Sequence, residues 1–262
     1  SPFRWEAVYM AGRAAEEAGK RKKAISFYER AAVSKADPEY AQKARYRLGF
    51  LLSGEAARRD VDAYRKRFPD GEFQHALALK LAEDDMVAGH LASAMKRYSE
   101  LVQSDGIEAR LKATAQYGVA WCHLKQGDLA QADKWFAAVL ENSDASPAAR
   151  RDARLQRGEI AYDRKRVDDA RRFFETVKEG SPNYGRARYM LGWCARKQDD
   201  HATAIARFRE ALQRAPQAAY AADARLRLAE ELNRAERYAD VRDMLKPELQ
   251  GREKPPEELL HT

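Results

Sequence analysis

The sequence predicts an all-α chain, built as an array of antiparallel helical hairpins. Three observations carry this. A small residue followed one turn later by an aromatic recurs along the chain: Ala24/Tyr28, Ala94/Tyr98, Ala132/Phe136, Ala170/Phe174 and Ala204/Phe208, with weaker members at Asp60/Tyr64 and Val241/Leu245. Successive first members lie 34 to 38 residues apart, a period that signals stacked helix pairs. No stretch alternates apolar and polar residues as a half-buried strand would.

Each part of the repeat has a physical reason. Gly12, Gly49, Ala82, Ala120, Gly158, Gly192 and Ala229 stand where the first helix of a pair (A) crosses the second (B). A small residue there lets two backbones approach, and the aromatic of helix B fills the gap. Prolines mark repeat starts at Pro2, Pro38, Pro147, Pro182 and Pro216, most of them after an N-cap residue (Ser1, Asp37, Ser146, Ser181). Proline is tolerated in a first helical turn, where its missing N–H is not needed. The A–B turns, such as Gln126-Gly-Asp-Leu129 and Gln198-Asp-Asp-His201, suit short helix connections. The second repeat breaks the pattern: its turn is short and Asp60 or Val61 replaces the small residue, so local irregularity is expected there. The repeats are predicted at roughly 2–37, 38–70, 71–106, 107–146, 147–181, 182–215 and 216–250 of one domain. Residues 251–262, beginning Gly-Arg-Glu-Lys-Pro-Pro, are a tail or the start of a further helix.

Composition excludes several classes. The 262 residues include 14 glycines and 9 prolines, too few for a collagen-like or low-complexity chain. Two cysteines cannot build a disulfide scaffold. No apolar run approaches the roughly 20 residues that span a bilayer. The opening Ser1-Pro-Phe-Arg4 is neither an initiator methionine nor a signal peptide, and reads as a mature protein or an excised fragment. The net charge is +7, concentrated in residues 146–216, where 17 basic face 10 acidic groups.

The stretches Gly158…Ala170-Arg-Arg-Phe-Phe174…Pro182 and Leu191-Gly192…Ala204-Ile-Ala-Arg-Phe208…Ala211…Pro216 resemble the tetratricopeptide repeat family. The resemblance spans residues 3–250 as seven repeats. The longer repeats, with Phe68-Pro-Asp-Gly-Glu-Phe-Gln-His-Ala76 as linker, are similar to a bacterial subgroup of cell-envelope accessory proteins. It implies a right-handed superhelical array of about seven antiparallel helix pairs, with the A helices lining a concave groove. It also implies binding of a partner protein or peptide, and does not imply a reaction. Fold alone does not give function.

Groove candidates follow from the helix period, taken on either side of each small residue. They are Tyr9, Tyr46, Phe50, Tyr117, Trp121, Tyr162, Tyr189, Trp193, Arg196 and Lys197. Phe50, Trp121 and Trp193 follow the small residue in even repeats; Glu83, Glu159 and Glu230 do so in the third, fifth and seventh. Aromatics and arginines are favoured interface anchors. The competing reading packs these rings between repeats. The carboxylate clamp of some relatives is not expected, since the matching sites carry Tyr9, Arg13, Arg47 and Phe50 and no asparagine.

No cofactor, metal or catalytic group is expected. The five histidines are scattered, and no phosphate loop or nucleophile motif occurs. Cys122 and Cys194 stand two repeats apart, beyond disulfide reach, as small buried residues. Free thiols favour the cytoplasm, while envelope-like repeats favour the periplasm. The function predicted is a non-catalytic protein–protein interaction scaffold within a larger bacterial assembly or multidomain protein. The alternatives are a basic surface for nucleic acid or anionic lipid, nucleic acid ranking below an acidic protein partner for the basic clusters, and a non-catalytic helical arm of an envelope enzyme.

Overall fold

The computed structural model describes residues 4–250. These form fourteen helices and no strand: α1 (Arg4–Glu17), α2 (Arg21–Ala32), α3 (Pro38–Leu51), α4 (Gly54–Arg67), α5 (Gln74–Val87), α6 (Leu91–Gln103), α7 (Ala109–Lys125), α8 (Leu129–Glu141), α9 (Pro147–Asp163), α10 (Val167–Glu175), α11 (Tyr184–Lys197), α12 (His201–Arg214), α13 (Ala221–Arg234) and α14 (Tyr238–Gln250). The chain is all-α and its helices pack in sequential pairs. They fall into two compact units, one up to Ala149 and one from Arg150. The predicted tail, with Ser1 and Pro2, lies outside the described residues.

Within each unit a helix packs on the helices before and after it, as in a repeat array. The predicted small-residue crossings are tight in the first, fifth and sixth repeats, whereas Gly49 faces Leu77 of α5 and not a ring of α4. A Cβ on Gly12 would lie 2.6 Å from the Tyr28 ring, and one on Gly158 2.5 Å from Phe174. Ala24, Ala94, Ala132, Ala170 and Ala204 are fully buried beside their aromatics.

Six A–B turns, all but that of the second repeat, share one geometry. The middle residue is left-handed, at φ 78° for Gly127 and 57° for Asp199. The next N–H then reaches back to the last helical turn: Asp128 N donates to His123 O, and Asp200 N to Ala195 O, both at 3.0 Å. This is the Schellman closure, which satisfies carbonyls that a helix end leaves free. The same bond closes the turns at Lys20, His90, Arg166 and Arg237. Asp128 and Asp200 then cap the next helix through Gln131 N and Thr203 N.

The second repeat is irregular for a visible reason. Only Leu52 and Ser53 separate α3 from α4, and Gly54 supplies the left-handed residue. The inward face shifts to Ala57, Val61 and Tyr64, all fully buried. Asp60 turns to Arg45 Nη1 at 2.8 Å.

The proline expectation holds in part. Asp37 caps α3 through Tyr40 N, and Ser146 Oγ accepts from Ala149 N in the first turn of α9. Pro182 and Pro216 instead precede their helices, because α11 begins at Tyr184 and α13 at Ala221. Ser181 is no helix cap; its hydroxyl accepts from Asn183 N in a turn.

Two carboxylates are buried in the interior of the described residues, Asp85 and Glu231. Asp85 accepts from Arg58 of α4 and, at 2.9 Å, from Arg97 Nε of α6. Glu231 lies 2.5 Å from His201 Nδ1 and 3.2 Å from Arg196 Nε. Each ties one helix pair to the next. Other arginines close helix ends: Arg67 donates to Ala32 O at 2.7 Å, and Arg188 to Val177 O at 3.2 Å. No helix among the described residues is long and apolar enough to cross a membrane.

Candidate partner-binding surface

In the first unit the predicted groove residues divide. Tyr9 is buried, 8% exposed, with its ring 5.7 Å from Tyr28 and 5.5 Å from Tyr40. It belongs to the core between the first two repeats, where the tyrosine of one A helix meets the first aromatic of the next. Tyr46 is half-buried and stacks on Phe73 at 4.3 Å, with the ring of Phe50 packed edge-on at 4.9 Å. Phe50 itself remains 44% exposed, and Val87, at the end of its A helix, is 90% exposed. Tyr117 and Trp121 stand edge-on to the buried Phe136, at 6.2 and 6.0 Å, and both are half-buried. One edge of each ring thus serves the helix pair while the rest stays accessible.

The second unit holds the denser cluster. Tyr189 stacks on Tyr220 at 4.9 Å and 19°, and its hydroxyl donates to Asp223 Oδ2 at 2.7 Å. Trp193 stands edge-on to Phe208 at 6.3 Å. Two guanidinium groups flank its ring, Arg196 at 5.3 Å and Arg227 at 5.0 Å from the centroid. Such cation–π contacts are worth about 0.5–1 kcal/mol at exposed sites and more when desolvated. Arg196 is only 17% exposed and is held by Glu230 at 2.6 Å and Glu231 at 3.2 Å. Arg227 is held by Asp223 at 3.1 Å and Glu230 at 2.9 Å. Burial would raise the Glu230 carboxyl, but hydrogen bonds from Arg227 and Arg196 keep it below its ordinary value. Burial dominates at Glu159, whose carboxyl is raised despite Arg186 at 2.5 Å. Tyr162 is half-buried, and burial pushes its hydroxyl up to about 12. Lys197 is exposed.

Sequence reading missed the rings at the starts of the following A helices. Tyr40, Phe73 and Tyr220 each meet an A-helix tyrosine of the preceding repeat. The signal was the recurrence of an aromatic 27 to 31 residues after Tyr9, Tyr46 and Tyr189. Arg227 and Asp223 were also missed, being one and two turns ahead of Glu230 on the same helix.

Among the described residues no three His, Cys, Asp or Glu side chains converge as a metal site would require. The arrangement presents rings and paired charges for contact.

Comparison with known proteins agrees with this architecture. Two tetratricopeptide repeat models match the chain, one at residues 79–149 and 175–219, the other at 6–33, together more than half of it. Among solved structures, PilF of Pseudomonas aeruginosa is similar at 16% identity and a TM-score of 0.61, over 84% of this chain and 95% of that one. The apo form of RapI is similar at 12% identity and a TM-score of 0.64, over 93% of this chain and 75% of that one. PilW, a type IV pilus biogenesis factor, aligns at 12% identity and a TM-score of 0.59, over 84% of this chain and 97% of that one. No curated protein matches significantly in sequence. The repeated hairpins, their small-residue crossings and these matches make the chain a member of the tetratricopeptide repeat family.

Proposed function

We propose that this chain is a non-catalytic protein–protein interaction scaffold, seating an extended segment of a partner protein on its A-helix faces. The observation that carries the reading is Trp193. Its ring is half-buried, backed by Phe208 and flanked by Arg196 and Arg227. A rigid ring between two guanidinium groups, each already compensated by carboxylates, offers contact area at low entropic cost. Such residues dominate interface energetics. In the second unit Tyr162 is the supporting anchor, with Lys197 as a peripheral charge; the first unit offers Phe50, Tyr117 and Trp121 on its own A-helix faces. The reading extends to membership of a larger bacterial assembly, which the likeness to PilW, a type IV pilus biogenesis factor, supports.

Nucleic acid or anionic lipid on residues 146–216 is the weaker reading. Much of that charge is answered locally: Arg166 and Arg172 face Asp169, and Arg171 faces Asp168.

The test compares wild-type chain with Trp193→Ala and Trp121→Ala in capture from a host lysate at moderate salt. A protein held by wild type, with affinity lowered about tenfold or more in a variant that keeps its far-UV helix signal, supports the groove. Equal capture by all three chains, or loss of helix in the variants, returns these rings to the core.

A further inference from the structure

In the second unit, a cavity of about 400 Å³ lies between the start of α9 and the loop after α10. Its walls are Arg151, Arg154, Thr176, Val177 and Lys178, with none of the groove residues among them. Arg151 and Arg154 are three residues apart on α9 and therefore share a face. Lys178 enters from the loop, and buried Val177 supplies an apolar wall. The Thr176 hydroxyl donates to Phe173 O at 2.6 Å, which leaves recognition to the three cations.

These cations differ from most arginines of the unit. Among the described residues, none of the three has a carboxylate partner. Glu179, next to Lys178 in the chain, is engaged with Arg214 instead. Like charges gathered round one concavity repel and focus a positive potential into it. An anionic group entering the cavity relieves this repulsion and gains charge-assisted hydrogen bonds.

We propose that this cavity binds the acidic side chains of a partner protein segment. Two features favour carboxylates on a peptide over nucleic acid. No aromatic ring lines the cavity to stack a base. The nearby Phe173 ring is covered by the Arg157 guanidinium at 4.7 Å. The Val177 wall suits the methylene stem of a glutamate. The site goes beyond the groove reading and does not depend on it, so either can fail alone.

The experiment is fluorescence anisotropy with a labelled hexaglutamate peptide at low salt. Arg151→Gln/Arg154→Gln should weaken binding about tenfold or more, and Lys178→Ala by several-fold. Arg164→Gln, an exposed cation outside the cavity, should leave binding unchanged. Circular dichroism of every variant checks the fold, and exposed Lys178 provides a substitution that costs little packing. The proposal is overturned by no peptide binding by wild type, by equal binding by the cavity variants, or by a thymidine oligonucleotide held by the same residues as tightly as the peptide. Inorganic phosphate binding as tightly as the peptide would also overturn it, by reducing the cavity to a small-anion site.

Discussion

Gly192 touches Phe208: a methyl group at position 192 would lie 2.6 Å from Cε1 of the ring. Phe208 is fully buried and cannot move outward. Gly192→Ala is therefore expected to destabilise the fold by about 1–3 kcal/mol, the usual cost of overpacking. Urea denaturation measures it. Adding Phe208→Leu should recover part of the loss, because residues in contact couple non-additively. Simple addition of the two losses would mean that the crossing relaxes by moving backbone instead.

Asp60 titrates against the usual direction. Burial raises its carboxyl from 3.8 to about 6, although Arg45 pulls the other way. The folded chain thus holds this proton at a pH where the unfolded chain has released it. The resulting stabilisation is present below about pH 4 and is lost as pH rises through about 6. Asp60→Asn removes the effect. Thermal melts of both chains should show the wild type gaining on the variant by on the order of 2 kcal/mol between neutral pH and the lower end of that window. A pH-independent difference would mean that Asp60 is already ionised without penalty.

Both cysteines should be inert in the native state. Burial pushes the Cys122 thiol up to about 11 and the Cys194 thiol to about 12, and neither side chain is accessible. Only the thiolate reacts. Ellman's reagent at mildly alkaline pH should therefore label neither until denaturant is added. Rapid labelling of either one without denaturant would reveal local opening of its helix pair.

Glu231→Gln is expected to cost about 2 kcal/mol or more, since it leaves the mostly buried Arg196 short of a counter-charge. Chemical denaturation measures the loss. Exposed Arg234, also near Glu231, can turn to water and should contribute little. Unchanged stability would show that Glu230 alone can hold Arg196.

The hairpin pattern was readable because its causes are local. The spacing of Ala24 to Tyr28, or Gly158 to Phe174, sets the crossing within one repeat, and the turn chemistry of Gly127-Asp128 follows from two residues. What sequence reading missed depends on neighbours in space. Tyr9 looks like a groove residue on its own helix, and only Tyr40 of the next repeat encloses it. Asp85 and its neighbour Asp84 are alike in sequence, yet Asp84 pairs with Lys80 one turn back while Asp85 is drawn inward by Arg58 and Arg97. The three cations of the Arg151 cavity stood out only once the structure gathered them round one concavity, with Glu179 turned to Arg214. Arg196 was picked as a polar contact, but its place against the Trp193 ring required the positions of Glu230 and Glu231.

Asp85 and Glu231 also write an address into the array. A purely apolar junction would accept almost any hairpin as its neighbour, since one greasy face resembles another. A sequestered carboxylate does not. If the hairpins were shuffled, Glu231 would meet a surface without Arg196 and His201, and Asp85 one without Arg58. Asp85 would then keep only Arg97 of its own hairpin and Glu231 only the exposed Arg234, each short of the counter-charge that its burial requires. The order of those hairpins is thereby encoded as a lock at each joint, so the repeats are similar in shape without being interchangeable.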